Sequence, residues 1–292
     1  MKYAIIGAGK MGRWFTEFFL QEGEDVVVSD KDEKKLAKIE KDLKVETANN
    51  MEAVKGADRI LLCVPMENME DVVKEIHLQV QSNQIVMDIC SEKKPSVKIM
   101  HRYIRKGIVL GTHPVFGPGV KSIANQNFIL TPSGMKERRF AKEFKTWLEK
   151  RNACVSIMSP GRHDEVMSVV LGFPHFLGLA VCQTFLDCSD LHKIEKIAGP
   201  SCKMLLTFAK AVLSEETRFY TSLQMNLPET TKMVNLFLEK SREWLSLIKQ
   251  KDAESLVRKM NLLKTRLARI DADYDSAYAA MHKTLEISAR KS

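Results

Sequence analysis

The sequence predicts an α/β domain built on a doubly wound parallel sheet, followed by an all-helical domain. Three observations carry that expectation. From residue 1 to about 158, short β-branched apolar runs alternate with longer amphipathic stretches, the pattern of strand, crossover helix, strand. After Ser159-Pro160-Gly161 the β-rich runs cease and helix-spaced apolar positions continue nearly to the end. A chain of 292 residues also exceeds the size at which one hydrophobic core usually stops growing, so two domains are expected, 1–158 and 159–292.

Taken in order, the strand candidates of the first domain are Tyr3–Ile6, Asp25–Ser29, Arg59–Val64, Gln84–Ile89, Ile108–Gly111, Asn127–Leu130 and Ala153–Ile157. Between them Arg13–Gln21, Glu33–Asp42, Met69–Val80, Lys94–Ile104 and Glu137–Lys150 have helical spacing. The second domain offers helices at Met167–Leu186, Pro200–Leu213, Thr217–Met225, Thr230–Lys249 and Asp252–Ser288, with breaks at Pro228 and near Lys251. Such long apolar-striped helices in so small a domain predict burial across a homodimer interface.

Apolar residues make up 45% of the chain and charged residues 28%, which excludes a disordered protein. The net charge of +8 suits an anionic ligand. Its lysines are interleaved with carboxylates, as in Lys31-Asp32-Glu33-Lys34-Lys35, and no zinc-finger or basic-zipper pattern appears, so no nucleic-acid partner is expected. Six cysteines (Cys63, Cys90, Cys154, Cys182, Cys188, Cys202) lack a CxxC pair and read as reduced, buried thiols. The opening apolar stretch, Tyr3 to Ile6, is too short for a signal peptide or a membrane span, so a cytoplasmic protein without a membrane partner is expected.

Gly7-Ala8-Gly9-Lys10-Met11-Gly12 is G-x-G-x-x-G, set between an apolar strand and a helix. Gly7 permits the tight turn, Gly9 lets backbone approach a pyrophosphate, and Gly12 lets helix and strand pack closely; the helix N-terminus offers amides to the phosphates. Val26-Val27-Val28-Ser29-Asp30 completes the fingerprint, because Asp30 lies 18 residues past Gly12 and can accept both ribose hydroxyls of an adenosine. This predicts a Rossmann-type dinucleotide site for NAD. Lys31 beside Asp30 is a cation that tolerates a 2′-phosphate and leaves NADP open. The expected cofactor contacts are the six loop residues, Asp30, and Val64 and Pro65 closing the third strand.

Asp88-Ile89-Cys90-Ser91-Glu92-Lys93 and Gly111-Thr112-His113-Pro114-Val115-Phe116-Gly117-Pro118 each follow a predicted strand, at the carboxyl edge where open α/β sheets bind ligands. His113, expected in a turn stiffened by two glycines and two prolines, has a pKa suited to accepting a proton near neutrality. His163-Asp164 opens the helical region and reads equally as a helix start with an acid favouring the dipole. His175, polar within an apolar stretch, is a further candidate, and no HExxH or comparable metal pattern occurs, so no metal is expected.

Together these motifs, Asp-x-x-Ser-x-Lys at 88–93, His-Pro-x-Phe-Gly-Pro at 113–118, His-Asp at 163–164 and His175 behind an N-terminal G-x-G-x-x-G, resemble the prephenate/arogenate dehydrogenase family of tyrosine biosynthesis. The resemblance runs over the whole chain. It implies a Rossmann domain, a helical dimerisation domain, an active site in the cleft between them, and oxidative decarboxylation of prephenate to 4-hydroxyphenylpyruvate with NAD. Carried over residue by residue, His113 polarises or deprotonates the ring hydroxyl, Ser91 hydrogen-bonds near hydroxyl and nicotinamide, and His175, Lys203 and Lys93 contact a dicarboxylate substrate. Where the family usually carries a carboxylate-gripping arginine in the helical segment, Ala198-Gly199-Pro200-Ser201-Cys202-Lys203 supplies a lysine, replacing a bidentate fork by a point charge. Arogenate and an amino-substituted prephenate stay open as substrates. Two other readings also stay open: a β-hydroxyacid dehydrogenase using Lys203 as acid/base, and a non-catalytic dinucleotide-binding regulator.

Overall fold

The computed structural model describes residues 1–188, 190–214 and 216–289, with backbone alone at 188 and 287–289. The chain divides into two compact units, Met1–Met167 and the part from Ser168 onward. In the first unit the order is β1 (Lys2–Ile6), α1 (Lys10–Gln21), β2 (Asp25–Ser29), α2 (Glu33–Leu43), β3 (Glu46–Thr47), α3 (Asn50–Lys55), β4 (Arg59–Leu62) and α4 (Met66–Ile76). There follow β5 (Ile85–Asp88), α5 (Lys93–Tyr103), β6 (Ile108–Pro114), β7 (Asn127–Thr131), α6 (Met135–Glu149), β8 (Cys154–Ile157) and α7 (Pro160–Met167). Neither β3, with two residues, nor α3, with six, carries enough periodicity to be read from sequence.

The eight strands form one sheet in the order β3-β2-β1-β4-β5-β6-β7-β8. Strands β1 to β6 run parallel, but β7 returns antiparallel to β6, and β8 follows β7. The sheet is the parallel-dominated, doubly wound one expected, with its one reversal at β7, since a parallel return needs a crossover, usually helical, and no helix forms between β6 and β7. Strands buried on both faces need apolar side chains at every position, as in Tyr3, Ala4, Ile5 and Ile6, all 1% exposed or less. Alternation then sends Tyr3 and Ile5 into a core under Phe15, Phe19, Phe140 and Phe144, and Ala4 and Ile6 into a second core under Met69, Val73, Val97 and Met100. The sheet's carboxyl edge, where β1, β2, β4, β5 and β6 end, is left to the loops.

The first unit continues nine residues beyond the predicted boundary, because α7 packs on α5. The second unit opens with a π turn (Ser168–Gly172) and continues as α8 (Phe173–Cys188), α9 (Leu191–Ile197), α10 (Pro200–Leu213), α11 (Thr217–Asn226), α12 (Thr230–Gln250), α13 (Ala253–Ile270) and α14 (Ala277–Ala289). The single helix expected over Asp252–Ser288 breaks after Ile270, where the Asp271 carboxylate accepts the Asp273 amide at 3.1 Å in place of a helical carbonyl. By length and composition the helical run Pro160–Asp187 could cross a membrane, and 11% of its apolar window is buried. The cysteine expectation is also corrected: among the described residues five thiols are free, but Cys154, at the edge strand β8, is exposed, and Cys90 alone of the five is fully buried. The Cys188 side chain lies outside the described residues.

Gly111 in β6 admits the closest approach of sheet and helix: a Cβ there would lie 2.3 Å from Thr131 Oγ1 and 2.5 Å from Val97 Cγ2. Overpacking of this kind costs about 1–3 kcal/mol. Gly111→Ala should therefore lower the melting temperature of the first unit by about 2–12 °C at roughly 2–4 °C per kcal/mol, read by scanning calorimetry.

Candidate active site

Between β1 and α1 the glycine loop is shaped by contacts that leave no room for side chains. Gly7 has φ +111°, and a Cβ on it would sit 2.5 Å from the Cys63 carbonyl oxygen; a Cβ on Gly12 would sit 1.8 Å from the Gly7 oxygen. Gly9 differs, because a Cβ there would meet nothing within 4 Å. It is the N-cap of α1 and supplies no side-chain cap, an arrangement suited to an anion at the helix start. Asp30, just past β2, accepts the Ala8 amide at 2.6 Å and the Asp32 amide at 2.9 Å, which holds its carboxylate against the loop. Val64 follows β4 beside the loop, its Cγ1 3.2 Å from the Gly7 Cβ direction, and Pro65 is the N-cap of α4. These residues fit a dinucleotide, with the loop and α1 for the phosphates and Asp30 for the ribose.

A second constellation lies farther along the same edge, at the ends of β5 and β6, which run side by side with Asp88 opposite Gly111. Lys93 has no solvent exposure; its Nζ pairs with Asp88 Oδ2 and donates to the Thr112 carbonyl at 2.5 Å. Asp88 also accepts the Thr112 amide at 3.3 Å, and its carbonyl takes the Thr112 hydroxyl at 2.5 Å. The sequence expectation of a substrate contact is corrected for Lys93, which is a buried framework cation joining β5, α5 and β6. Its neighbour on the chain, Ser91, is half-buried in the turn from β5 to α5.

His113 is not in a turn but within β6, paired with Ile129 of β7, and it is 3% exposed. Its Nδ1 is 2.8 Å from Nε2 of His163, whose own Nδ1 is 2.8 Å from Asp164 Oδ1. Asp164 also reaches a second helix. Its two carboxylate oxygens accept the Lys93 amide at 2.8 Å and the Lys94 amide at 2.9 Å, closing the N-terminus of α5 from 70 residues away. Burial, with His163 and Lys93 as like-signed neighbours, pushes the His113 pKa well below the usual histidine value; burial also lowers that of His163, against the pull of Asp164. Both rings are thus neutral at pH 7, and among the described residues nothing bonds to His113 Nε2. In the sequence His163 and Asp164 are only an acid adjacent to a histidine, which does not reveal that the acid caps a different helix.

The other two predicted residues belong to the second unit. His175 on α8 lies 4.3 Å from the Tyr220 ring, burial lowers its pKa, and its buried Nδ1 has no hydrogen-bond partner among the described residues. Lys203 on α10 is exposed and lines a cleft of about 310 Å³ with Glu195, Leu206, Thr207 and Lys210, of which Lys210 is paired with Glu195.

Two family models match this chain, "Prephenate dehydrogenase, nucleotide-binding domain" over residues 18–157 and "Prephenate dehydrogenase, dimerization domain" over residues 159–262. The chain belongs to the prephenate dehydrogenase family. A probable arogenate/prephenate dehydrogenase of Methanocaldococcus jannaschii is 31% identical over 260 residues, 88% of this chain and 58% of that protein. The prephenate dehydrogenase of Bacillus subtilis is 25% identical over 223 residues, 70% of this chain and 57% of that protein. The chain thus spans less than two thirds of the length of these curated relatives. Among solved structures, prephenate dehydrogenase from A. aeolicus in complex with hydroxyphenyl propionate and NAD+ superposes with a TM-score of 0.77 at 21% identity, covering 93% of this chain and 98% of that one, which establishes the shared fold.

Removing one partner of a buried ion pair strands the other, at a cost of about 3–5 kcal/mol. Lys93→Met should destabilise the first unit by that amount in chemical denaturation, whereas Lys203→Met, on an exposed helix face, should leave the midpoint unchanged.

Proposed function

We propose that this chain is an NAD-dependent dehydrogenase of prephenate, oxidising the ring carbinol and releasing the ring carboxylate as CO2. The observation that carries the reading is His113, a buried neutral imidazole fixed at the carboxyl edge of the sheet with Nδ1 engaged and Nε2 free, on the edge that also carries the glycine loop and Asp30. Oxidation of an alcohol needs a proton acceptor beside a hydride acceptor. A nicotinamide dinucleotide bound by the glycine loop and Asp30 supplies the second. His113 Nε2 takes the hydroxyl proton as the carbinol hydrogen leaves as hydride; the carbon–carboxylate bond breaks, its electron pair enters the ring, which becomes aromatic, and the resulting phenolate oxygen takes the proton back from His113. Ser91, in the neighbouring turn, orients the hydroxyl. Arogenate is the second reading, supported by the double name of the archaeal relative. The lysine-based β-hydroxyacid mechanism gives His113 no task.

A second copy of the chain covers the apolar helices. On α13 no residue is buried although Val257, Met260, Leu263, Leu267 and Ile270 are apolar and 45–85% exposed, and on α12 Leu236, Leu245 and Ile248 are likewise uncovered. Apolar surface so extensive on successive helices marks a subunit interface, and it supports a homodimer.

Purified protein should reduce NAD when given prephenate, followed at the NADH absorbance, with arogenate as the parallel substrate; turnover of neither would overturn the reading. His113→Asn should lower kcat by about 100- to 10,000-fold while leaving the Kd for NAD unchanged. Because the histidine pKa is lowered, the base stays competent as pH falls: kcat/KM should be flat from pH 8 to about 6.5, the ordinary histidine value, and decline only below it.

The cofactor preference rests on Asp30, whose carboxylate repels a 2′-phosphate. Asp30→Ser should raise kcat/KM for NADP relative to NAD by at least tenfold; a wild-type enzyme that favours NADP would overturn the assignment.

A further inference from the structure

We propose that His163 and Asp164 are positioning residues that set the tautomer of His113 and relay its proton, forming an Asp164–His163–His113 line in which Asp164 is itself held by the start of α5. The inference rests on His113 being the proton acceptor. Its argument is one of donors and acceptors. A carboxylate only accepts, so the 2.8 Å contact with Asp164 Oδ1 requires the proton of His163 on Nδ1. A neutral His163 then has a lone pair on Nε2, and the 2.8 Å contact with His113 requires a proton on His113 Nδ1. The lone pair of His113 is thereby left on Nε2. With the opposite orientation of the line, His113 would present an N–H to the substrate hydroxyl and could not act as a base.

The anchor of the line is unusual in its source. Asp164 Oδ1 accepts both the His163 Nδ1–H and the Lys93 amide, and Oδ2 accepts the Lys94 amide, so rotation of the carboxylate would forfeit a helix cap. When His113 Nε2 accepts the substrate proton, its Nδ1 proton can pass to His163 Nε2. The cation then sits on His163, whose Nδ1–H remains on Asp164, so that the positive charge comes to rest against a carboxylate instead of in an apolar interior. All three residues are buried, at 3%, 0% and 5% exposure, which keeps water from substituting for any link.

Two conservative variants separate the links, because the Asn amide occupies the place of an imidazole Nδ1 and the Gln amide that of Nε2. His163→Asn retains the donor to Asp164 but leaves His113 Nδ1 without its acceptor; His163→Gln retains an acceptor for His113 but leaves Asp164. In 15N-histidine-labelled wild-type protein, the His113 signals, assigned by their loss in His113→Asn, should show the Nδ1–H tautomer. His163→Asn should show a mixture of tautomers and a kcat lowered about 10- to 100-fold, with the Kd for NAD unchanged. His163→Gln should keep the Nδ1–H tautomer and lose less kcat. An Nε2–H tautomer in the wild type, or a kcat within twofold of wild type in His163→Asn, would overturn the proposal. Should the variants not fold, the wild-type tautomer alone decides it. A His113→Asn protein with full activity would instead overturn the underlying assignment of His113 as the base, so the two failures are told apart.

Discussion

Asp164 accepts the first two backbone amides of α5 and, with one of the same oxygens, the ring N–H of His163. An α-helix begins with four amides that have no partner within the helix, and α5 has no side-chain cap from its own N-cap residue, Glu92. The missing acceptor comes from α7. That requirement ties α7 to the first unit, orients His163, and through it orients His113 at the end of β6. Beneath the same point Lys93, the first residue of α5, is driven into the sheet to meet Asp88 of β5 and the Thr112 carbonyl of β6. Two charged clamps on one helical turn thus tie α5 to the carboxyl edge of the sheet and to α7.

The glycine loop solves a separate problem with neutral parts. Gly7 and Gly12 are demanded by the protein's own backbone, which would collide with any Cβ, while Gly9 is demanded by nothing in the chain. A glycine with open space in front of it, as the N-cap of a helix, suits the close approach of a ligand's atoms. The Asp30 hydrogen bond to Ala8 then joins that carboxylate and the glycine loop into one piece.

In the second unit, α12 buries only Thr230 and α13 buries no residue, although both carry regular apolar stripes. Amphipathic helices draw most of their stability from covering that stripe. The dimerisation domain to which this segment belongs is consistent with the second copy proposed to cover it.

Periodicity and punctuation were sufficient for most of the fold. Strands β1, β2 and β4 to β8 and helices α1, α2, α4 to α6 and α10 to α12 are legible because each has its own spacing of apolar residues and its own start signal. The dinucleotide fingerprint is legible for the same reason: it is local, with strand, glycines, helix and acid in one stretch of 30 residues. What sequence could not decide depends on partners far along the chain. The reversal at β7 follows from the lack of a crossover helix; the burial of Lys93 follows from Asp88 and Thr112; the role of Asp164 follows from a helix 70 residues earlier. His113 can be singled out as a candidate base from its motif, but which of its nitrogens carries the proton depends on the ring and carboxylate behind it, because a tautomer is a property of hydrogen-bond partners and not of a residue.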